Sequence, residues 1–412
     1  MSDTNLATIL KRGVAEIITE TELLRLLGSG KILTLKQGFD PSAPDIHLGH
    51  VVGLRKLRQL QDLGHKVTLI VGDWTARIGD PSGQSATRPM LSPSEVKKNA
   101  QTYIEQFSKV VNKDKTEVRW QTEWFSRFTL DEVIKLTSRF TIAQLLARED
   151  FNKRYTSGNP ISLAEMLYPL LQSYDSVAIR ADVEFGGTDQ KFNCLLGREL
   201  QQSMGQPPQQ VFLVPLLVGT DGRQKMSKSL RNHIGIAEPP REIYGKVMSI
   251  PDSLILDYFE LVTDLPEGEI AEFRKQLKTH SVNPLNLKKR LAHEIVRQFH
   301  GKQAADEAQE YFEKKYQARD LHKVEATASL GVKATGEVVI RRNMPRWLVD
   351  NTFASSISEA RRLLAQGAVQ IIRADGTRQV VRDQDVEFKP GDRFKVGKVR
   401  FVSIVDADEE ET

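Results

Sequence analysis

One short segment limits the possible folds of this chain more than any other. It is Gly38-Phe39-Asp40-Pro41-Ser42-Ala43-Pro44-Asp45-Ile46-His47-Leu48-Gly49-His50. Behind it, Ile32 to Leu35 is apolar. Ahead of it, Leu48, Val51, Val52, Leu57, Leu60 and Leu63 recur at mostly helical spacing and stop at Gly64. Val67-Thr68-Leu69-Ile70-Val71 follows, a continuous apolar run short enough for a buried parallel strand. These pieces predict a first β-α-β unit, with Gly, Pro and Asp reversing the chain in its turn. Such a turn delivers a helix N-terminus, whose free N–H groups and positive dipole end favour phosphate. His47 and His50 stand three apart, so both rings project from one side of the first turn. That pattern suits the grip of a polyphosphate, whereas a metal cage would need more ligands.

A second motif lies far downstream. Lys225-Met226-Ser227-Lys228-Ser229 follows an apolar run, Val211 to Val218, and a turn, Gly219-Thr220-Asp221-Gly222. Two lysines three apart on a loop of small residues suit a clamp on charged oxygens. Taken singly, each motif has an ordinary explanation, a polar helix cap or a solvated lysine pair. Their joint occurrence, H-x-G-H after the first strand and K-M-S-K-S after a late one, is specific. It resembles the signature pair of the class I aminoacyl-tRNA synthetases.

At 412 residues the chain is long for one core, and two or three domains are expected. Its 40% hydrophobic and 27% charged residues fit a globular protein. Cys194 is the single cysteine, which rules out an intramolecular disulfide and fits a reducing, cytoplasmic setting. Met1 to Arg12 has no apolar centre flanked by a cleavage site, and no run of eighteen apolar residues predicts a membrane span. The net charge of +4 is small, but residues 341–400 hold thirteen Lys/Arg against seven Asp/Glu. The last ten residues carry five acids and no base, which predicts an acidic tail from 406 to 412.

The alternation of apolar runs and helical patterns predicts an α/β catalytic domain over 1–234 with a doubly wound, parallel, Rossmann-like sheet. Ligands of such sheets bind at the carboxyl ends of the strands. Residues 2–30 read as a helical lead-in. A mainly helical insertion is expected over about 84–185, with Trp120, Trp124, Phe125 and Phe128 as large apolar anchors. Val183-Glu184-Phe185 and Gly186-Gly187-Thr188-Asp189-Gln190 open a second strand-turn-helix unit. From 235 to 325 the pattern is helical: Asn283-Pro284 starts a helix, Leu287, Leu291, Ile295 and Phe299 keep its apolar face, and Gly301 closes it. Residues 326–344 read as a linker. A small α+β module is expected over 345–405, with Ser358 capping a helix that carries Arg361 and Arg362. The order of its elements resembles the small RNA-binding domain named after a ribosomal small-subunit protein, which presents basic helices to phosphates.

With both motifs placed, the first 240 residues resemble the tyrosyl-tRNA synthetases, and the three-part layout covers nearly the whole chain. Gly38-Phe39-Asp40-Pro41 and the Gly79-Asp80-Pro81-Ser82-Gly83 turn match the family's runs, as do Tyr168, Gln172 and Asp175. Gly186-Gly187-Thr188-Asp189-Gln190 matches with one conservative change. The resemblance implies that Asp80, Tyr168, Gln172 and Gln190 hold the amino group and orient the carboxylate, with Asp40 beside them. It implies that Asp175 accepts the phenolic hydrogen of tyrosine. Asp189 and its glycines, including Gly187, would hold the ATP ribose, with Gly49, His50, Met226 and Lys228 around the nucleotide. Ser42, His47, Arg88, Lys225 and Lys228 would neutralise the phosphates in the transition state. The implied partners are L-tyrosine, ATP with substrate-borne Mg2+, tRNA(Tyr) and a second copy of the chain held through the insertion; 235–325 would be the anticodon-binding domain. No prosthetic group and no resident metal are expected.

Spacing adds an independent argument. Tyr168, Gln172 and Asp175 fall at i, i+4 and i+7, one polar stripe on an otherwise apolar helix, which predicts a lined pocket ahead of the alternative, a buried polar network. Asp80 in a Gly/Pro turn reads, by itself, as an Asx turn. The implied chemistry is attack of the tyrosine carboxylate on the α-phosphate of ATP, then transfer of the tyrosyl group to the 3′ end of tRNA. The nucleophile is already an anion, so positioning and charge stabilisation would carry the catalysis. One departure is visible: Lys36 and Gln37 stand where many family members have tyrosine and cysteine. Lys36 is therefore expected at the substrate, either pairing Asp175 or turned away. Gln84 stands where a lysine often helps bind phosphate. The rival readings are a tryptophanyl-tRNA synthetase, a small-metabolite nucleotidyltransferase and a non-catalytic RNA-binding paralogue.

Overall fold

A computed structural model describes residues 3–41, 45–82, 91–317, 328–332, 340–351, 353–354, 356–382, 385–397 and 400–406. They fall into two compact units, Met1–Phe312 and Glu313–Thr412.

The first unit is built on a six-stranded sheet of β1 (Glu16–Ile18), β2 (Thr34–Phe39), β3 (Lys66–Val71), β4 (Thr116–Trp120), β5 (Val183–Gly187) and β6 (Gln210–Val214). Their order is β1-β6-β5-β2-β3-β4, parallel throughout except for β1, which pairs antiparallel with β6. From β2 the chain winds outward through β3 and β4, then returns to the other side of β2 with β5. The crevice between β2 and β5 is thus the point where the strand order reverses, the place where such sheets hold ligands. The strands read as continuous apolar runs because helices cover both faces: Leu35, Val67, Leu69, Val183, Phe212 and Leu213 are fully buried.

Several boundaries differ from the sequence expectations. Residues 2–30 are not wholly helical, since β1 edges the sheet between helices Asp3–Lys11 and Glu20–Gly28. The 84–185 stretch contains β4, whose partly buried residues carry no clear strand pattern, so the helical insert proper follows it. The helices of 240–312 share one continuous core with the sheet: Ile243, Tyr244, Phe259, Leu291 and Ile295 pack in the same cluster as Leu48, Val51 and Leu57. The expected separation between sheet and helical segment is therefore absent from the packing.

A clasp of cations holds the two together. The helix Ile255–Val262 ends at Thr263, whose backbone is extended, so its last carbonyls need donors from outside the helix. Arg12 donates to Phe259 O, Glu260 O, Thr263 O and Leu265 O at 2.6–3.1 Å. Arg55, from the middle of the helix Leu48–Asp62, donates to Leu261 O at 2.8 Å, to Thr263 O and to Asp264. Positive charge at a helix C-terminus also complements its dipole. Beside them Lys56 donates to Ile9 O at 2.8 Å, and burial next to these guanidiniums pushes its ammonium down to about 7.

The second unit contains β7 (Ala328–Val332), β8 (Ile340–Asn343), β9 (Val369–Ile372), β10 (Arg378–Val380), β11 (Asp385–Phe388), β12 (Arg393–Val396) and β13 (Arg400–Asp406). Five of them order as β10-β9-β12-β13-β7, and β11 pairs with β8. Two strands thus come from the stretch expected as a linker: β7 pairs parallel with β13, and β8 antiparallel with β11. Helices Met344–Asp350 and Ile357–Ala365 cover a core of Trp347, Leu348, Leu364, Ile371, Phe388 and Phe394. Ser356, not Ser358, caps the second helix, accepting from Glu359 N at 3.2 Å. Arg361 and Arg362 are exposed on that helix, and Arg362 stands 3.8 Å from Glu359. The tail beyond 406 lies outside the described residues.

Candidate active site

The helix Leu48–Asp62 begins where β2 ends, and His47 is its N-cap. His47 Nδ1 accepts from Gly49 N and His50 Nδ1 accepts from His47 N, both at 3.2 Å. With each Nδ1 used as an acceptor, the ring proton sits on Nε2, so both imidazoles keep one outward donor. Burial keeps both rings neutral: His50 is pushed down to about 3, with Lys228 adding to the effect, and His47 goes well below the usual histidine range. Close approach favours Gly49, because a Cβ there would stand 3.0 Å from the His47 ring and press on it.

The N–H groups of this helix start are not free, contrary to the expectation. Leu48 N donates to Ile234 O at 3.0 Å, Gly49 N to His47, and His50 N to His47 O at 2.9 Å. The acceptor Ile234 belongs to the segment just after the lysine motif. A bridge between His47 and Gly235 and the Ile236 N to Ile46 O bond complete the seam. Two motifs far apart in sequence are thus stitched together through their backbones. Asn232 shapes the lysine loop, accepting from Ser227 N at 2.8 Å and donating to Lys225 O at 3.1 Å.

The cleft at the β2/β5 crevice has a volume of about 480 Å³. One end is lined by His47, Gly49, His50, Lys225, Met226 and Lys228. Lys225 pairs with Asp189 at 2.7 Å, next to Gly187. Lys228 Nζ is buried with no hydrogen-bond partner among the described residues, 5.2 Å from the Tyr103 ring centroid. That burial pushes its ammonium down to about 8.

The other end is lined by Asp40, Asp80, Tyr168, Gln172, Asp175 and Gln190. The helix Leu163–Ile179, capped by Ser162 and Glu165, carries the polar stripe into the cleft as its spacing predicts. Tyr168 OH donates to Asp40 Oδ2 at 2.8 Å, and Thr75 Oγ1 to Asp40 Oδ1 at 2.7 Å. Burial and these carboxylates hold the Tyr168 phenol well above its usual range, so it stays protonated. Asp80 Oδ1 accepts from Ser82 N at 2.8 Å, an Asx turn, while its Oδ2 accepts from Gln190 Nε2 at 2.7 Å. The turn and the pocket roles of Asp80 are therefore compatible. At the blind end Asp175 accepts from Gln121 Nε2 at 2.8 Å and from Trp124 Nε1 at 3.1 Å. Burial drives its carboxyl up to about 7, against the opposing pull of Lys36.

The sequence model of the family described as tRNA synthetases class I (W and Y) matches residues 29–317. The tyrosine–tRNA ligase of Dehalococcoides mccartyi (strain CBDB1) is 57% identical over 400 residues, covering 97% of this chain and 98% of that one. This chain belongs to the class I tyrosine–tRNA ligases. The tyrosine–tRNA ligase of Thermotoga maritima is 49% identical over 399 residues, 96% of each chain. In fold, the chain is similar to a C-terminally truncated mitochondrial tyrosyl-tRNA synthetase of Aspergillus nidulans, with a TM-score of 0.62 at 23% identity, over 74% of this chain and 92% of that one. These matches favour neither the tryptophan enzyme nor a paralogue without activity.

The structure also fixes the place of Lys36. Its side chain does not reach the cleft and does not pair Asp175. It is fully buried behind the pocket, 2.9 Å from Glu184 Oε1, so its expected place at the substrate is corrected. The short strand-to-strand distance to Glu184 offers a closer carboxylate than Asp175 does. Ser42, Gln84 and Arg88 lie outside the described residues. Sequence reasoning missed Gln121, Arg148, Asn193, Asn232 and Tyr103, and saw Trp124 only as an apolar anchor. Tyr103 and Asn193 lie on buried helix faces, with Val96, Ala100 and Phe107 and with Leu196 and Leu200, where spacing signals core rather than a site. The others carry no stripe or turn signature, and only the clustering of Trp120, Trp124 and Phe125 could have pointed to a pocket wall.

Proposed function

We propose that this cleft performs the tyrosine–tRNA ligase reaction with the following division of labour. Asp175, held by Gln121 and Trp124, accepts the phenolic hydrogen of L-tyrosine. Asp80, Gln172 and the Tyr168 oxygen receive the substrate ammonium, and Gln190 orients the carboxylate. ATP lies across Gly187 and Asp189, with Mg2+ carried on its phosphates. The tyrosine carboxylate then attacks the α-phosphorus, the bond to the bridging oxygen breaks, and diphosphate leaves. His47 and His50 act as neutral Nε2–H donors, and Lys225 and Lys228 supply the positive charge, so phosphate stabilisation rests on side chains rather than on free backbone N–H groups. Ser42 and Arg88 complete the phosphate contacts. The tyrosyl group finally passes to the 3′ end of tRNA(Tyr).

The observation that carries this reading is the meeting in one cleft of a buried carboxylate acceptor, Asp175, and two lysines, Lys225 and Lys228. Amino-acid-dependent ATP–pyrophosphate exchange tests it: exchange with tyrosine, and none with phenylalanine or tryptophan, is expected. Exchange driven best by tryptophan would overturn the pocket assignment.

The ligase works in the cytoplasm as a homodimer joined through the helical insert. Leu130 is 75% and Leu163 80% exposed there, with Ile134, Ile142 and Tyr155 also open, large apolar side chains of the kind an interface covers. Sedimentation equilibrium should return twice the chain mass for the wild type and a single chain mass for Ile134→Arg/Leu163→Arg. A monomeric wild type would reject this assembly.

The terminal unit, residues 345–405 with the two added strands, binds tRNA phosphates through Arg361 and Arg362, and 235–325 reads the anticodon end. Arg361→Glu/Arg362→Glu should lower kcat/KM for tRNA about tenfold and reduce the slope of log affinity against log salt by about 2. Pyrophosphate exchange, which needs no tRNA, should be unchanged.

A further inference from the structure

Lys36 and Glu184 are register partners on the adjacent strands β2 and β5, and their side chains are 0% and 1% exposed. All three ammonium hydrogens of Lys36 are used: on Glu184 Oε1 at 2.9 Å, Ser176 Oγ at 2.7 Å and Gln172 O at 2.8 Å. Glu184 is ringed by donors alone. Its Oε1 also accepts from Gln172 Nε2 at 3.1 Å, and its Oε2 accepts from Ser176 Oγ and Gln209 Nε2. A buried ion pair is seldom a net gain in stability over an apolar pair of equal size. Its effect here is better sought in what it orients.

We propose that the Lys36–Glu184 pair is a positioning device for substrate recognition: it dictates which end of the Gln172 amide faces the cleft, so that Oε1 is offered to the substrate ammonium. This inference rests on the assignment of Gln172 to that ammonium. An amide by itself can present either its oxygen or its NH2. A carboxylate accepts only, so the end of Gln172 that meets Glu184 must be the NH2, and a turned amide would set two acceptors against each other. The order continues along the row. Gln172 Oε1 accepts from Asn193 Nδ2 at 2.9 Å, and Asn193 Oδ1 accepts from Arg148 Nη1 at 3.0 Å. A guanidinium only donates, so Arg148 fixes the orientation of Asn193 from the far side. Asn193 Nδ2 also reaches Gln190 Oε1 at 3.1 Å, which leaves Gln190 Nε2 for Asp80. Two charged groups, one at each end, thus set the direction of three neutral amides that line or support the cleft.

Lys36→Met/Glu184→Gln removes both charges at nearly constant size and lets the new amide turn either way. The probes are tyramine, which keeps the ammonium and lacks the carboxylate, and 3-(4-hydroxyphenyl)propionate, which keeps the carboxylate and lacks the ammonium, each as an inhibitor of pyrophosphate exchange. In the double variant, KM for tyrosine and the inhibition constant of tyramine should rise about tenfold. Inhibition by 3-(4-hydroxyphenyl)propionate, kcat and KM for ATP should stay as in the wild type. Equal weakening of both analogues would mean a merely structural pair and overturn the proposal. Should the double variant not fold, Glu184→Gln alone, which still gives Lys36 an amide oxygen, carries the same comparison. Gln172→Ala separates the two levels of the argument. If it weakens both analogues equally, the ammonium assignment itself fails. If it weakens tyramine alone while the charge variants spare both, only the positioning role fails.

Discussion

Replacing Asp175 by Asn should lower kcat/KM for tyrosine in pyrophosphate exchange about 10³-fold. The carboxylate receives two N–H groups, from Gln121 and Trp124, and retains lone pairs for a phenol. An amide in its place turns one NH2 towards those donors and strands one of them. Loss of a charged acceptor and stranding of a buried donor together cost about 4 kcal/mol. Phenylalanine, which has no hydroxyl to place, should lose nothing, so discrimination between the two amino acids collapses. The wild type should also carry a pH signature. Asp175 titrates near 7 in the empty site, so kcat/KM for tyrosine should rise with pH up to about 7 and level off above it. In the Asn variant that limb should vanish. The linked effect on stability has the opposite direction. A carboxyl held up near 7 when folded, against roughly 4 when unfolded, contributes stability below pH 4 that is lost as pH rises through 7. A tyrosine profile flat between pH 6 and 8 would remove Asp175 from its role as hydroxyl acceptor.

Lys228→Met should lower kcat for tyrosyl-adenylate formation about 10²- to 10³-fold, a size usual for removing one charge-stabilising group from a transition state. KM for tyrosine should barely change, because Lys228 stands at the opposite end of the cleft. In the empty enzyme its buried ammonium titrates near 8, close over the Tyr103 ring. The charged form is the one phosphates attract, so kcat/KM for ATP should fall as pH rises above about 8. ATP binding at pH 9 should take up a proton, visible as a buffer-dependent heat in calorimetry. Lys225 differs: its charge is spent on Asp189 before ATP arrives, at 2.7 Å. With ATP seated as proposed, the ribose hydroxyls would compete with Lys225 for that carboxylate and free the first lysine for the phosphates. A Lys228→Met enzyme with normal kcat would exclude the second lysine from the chemistry.

The β-α-β start, the polar stripe of Tyr168, Gln172 and Asp175, and both signature motifs were legible in the sequence because each follows from local spacing or turn chemistry. The helix Pro284–His300, with its Asn283 cap and Gly301 stop, was legible for the same reason. What escaped depends on partners brought from elsewhere in the chain. Strand β4 carries no alternation, and strands β7 and β8 are short pieces whose pairing partners lie dozens of residues away. Gln121 and Asn193 are ordinary amides until the fold sets one against Asp175 and the other against Arg148. For Lys36 the sequence left pairing with Asp175 and turning away both open, and register decides for the second by setting it opposite Glu184. The helix start after β2 was placed correctly, but its N–H groups are taken by Ile234 O and by His47.

The cation clasp on the helix Ile255–Val262 has a consequence for how this protein comes apart. Arg12 and Arg55 together satisfy main-chain oxygens at Phe259, Glu260, Leu261, Thr263 and Leu265, and Arg55 rides on the same helix that His47 opens. Pulling the helical segment off the sheet would leave those carbonyls and two guanidiniums unmatched at once. Melting of the 240–312 helices is therefore tied to melting of the cleft that His47 and His50 line, as a single cooperative event. A cut in the loop joining them would yield a nicked but intact body, not two fragments that fold alone.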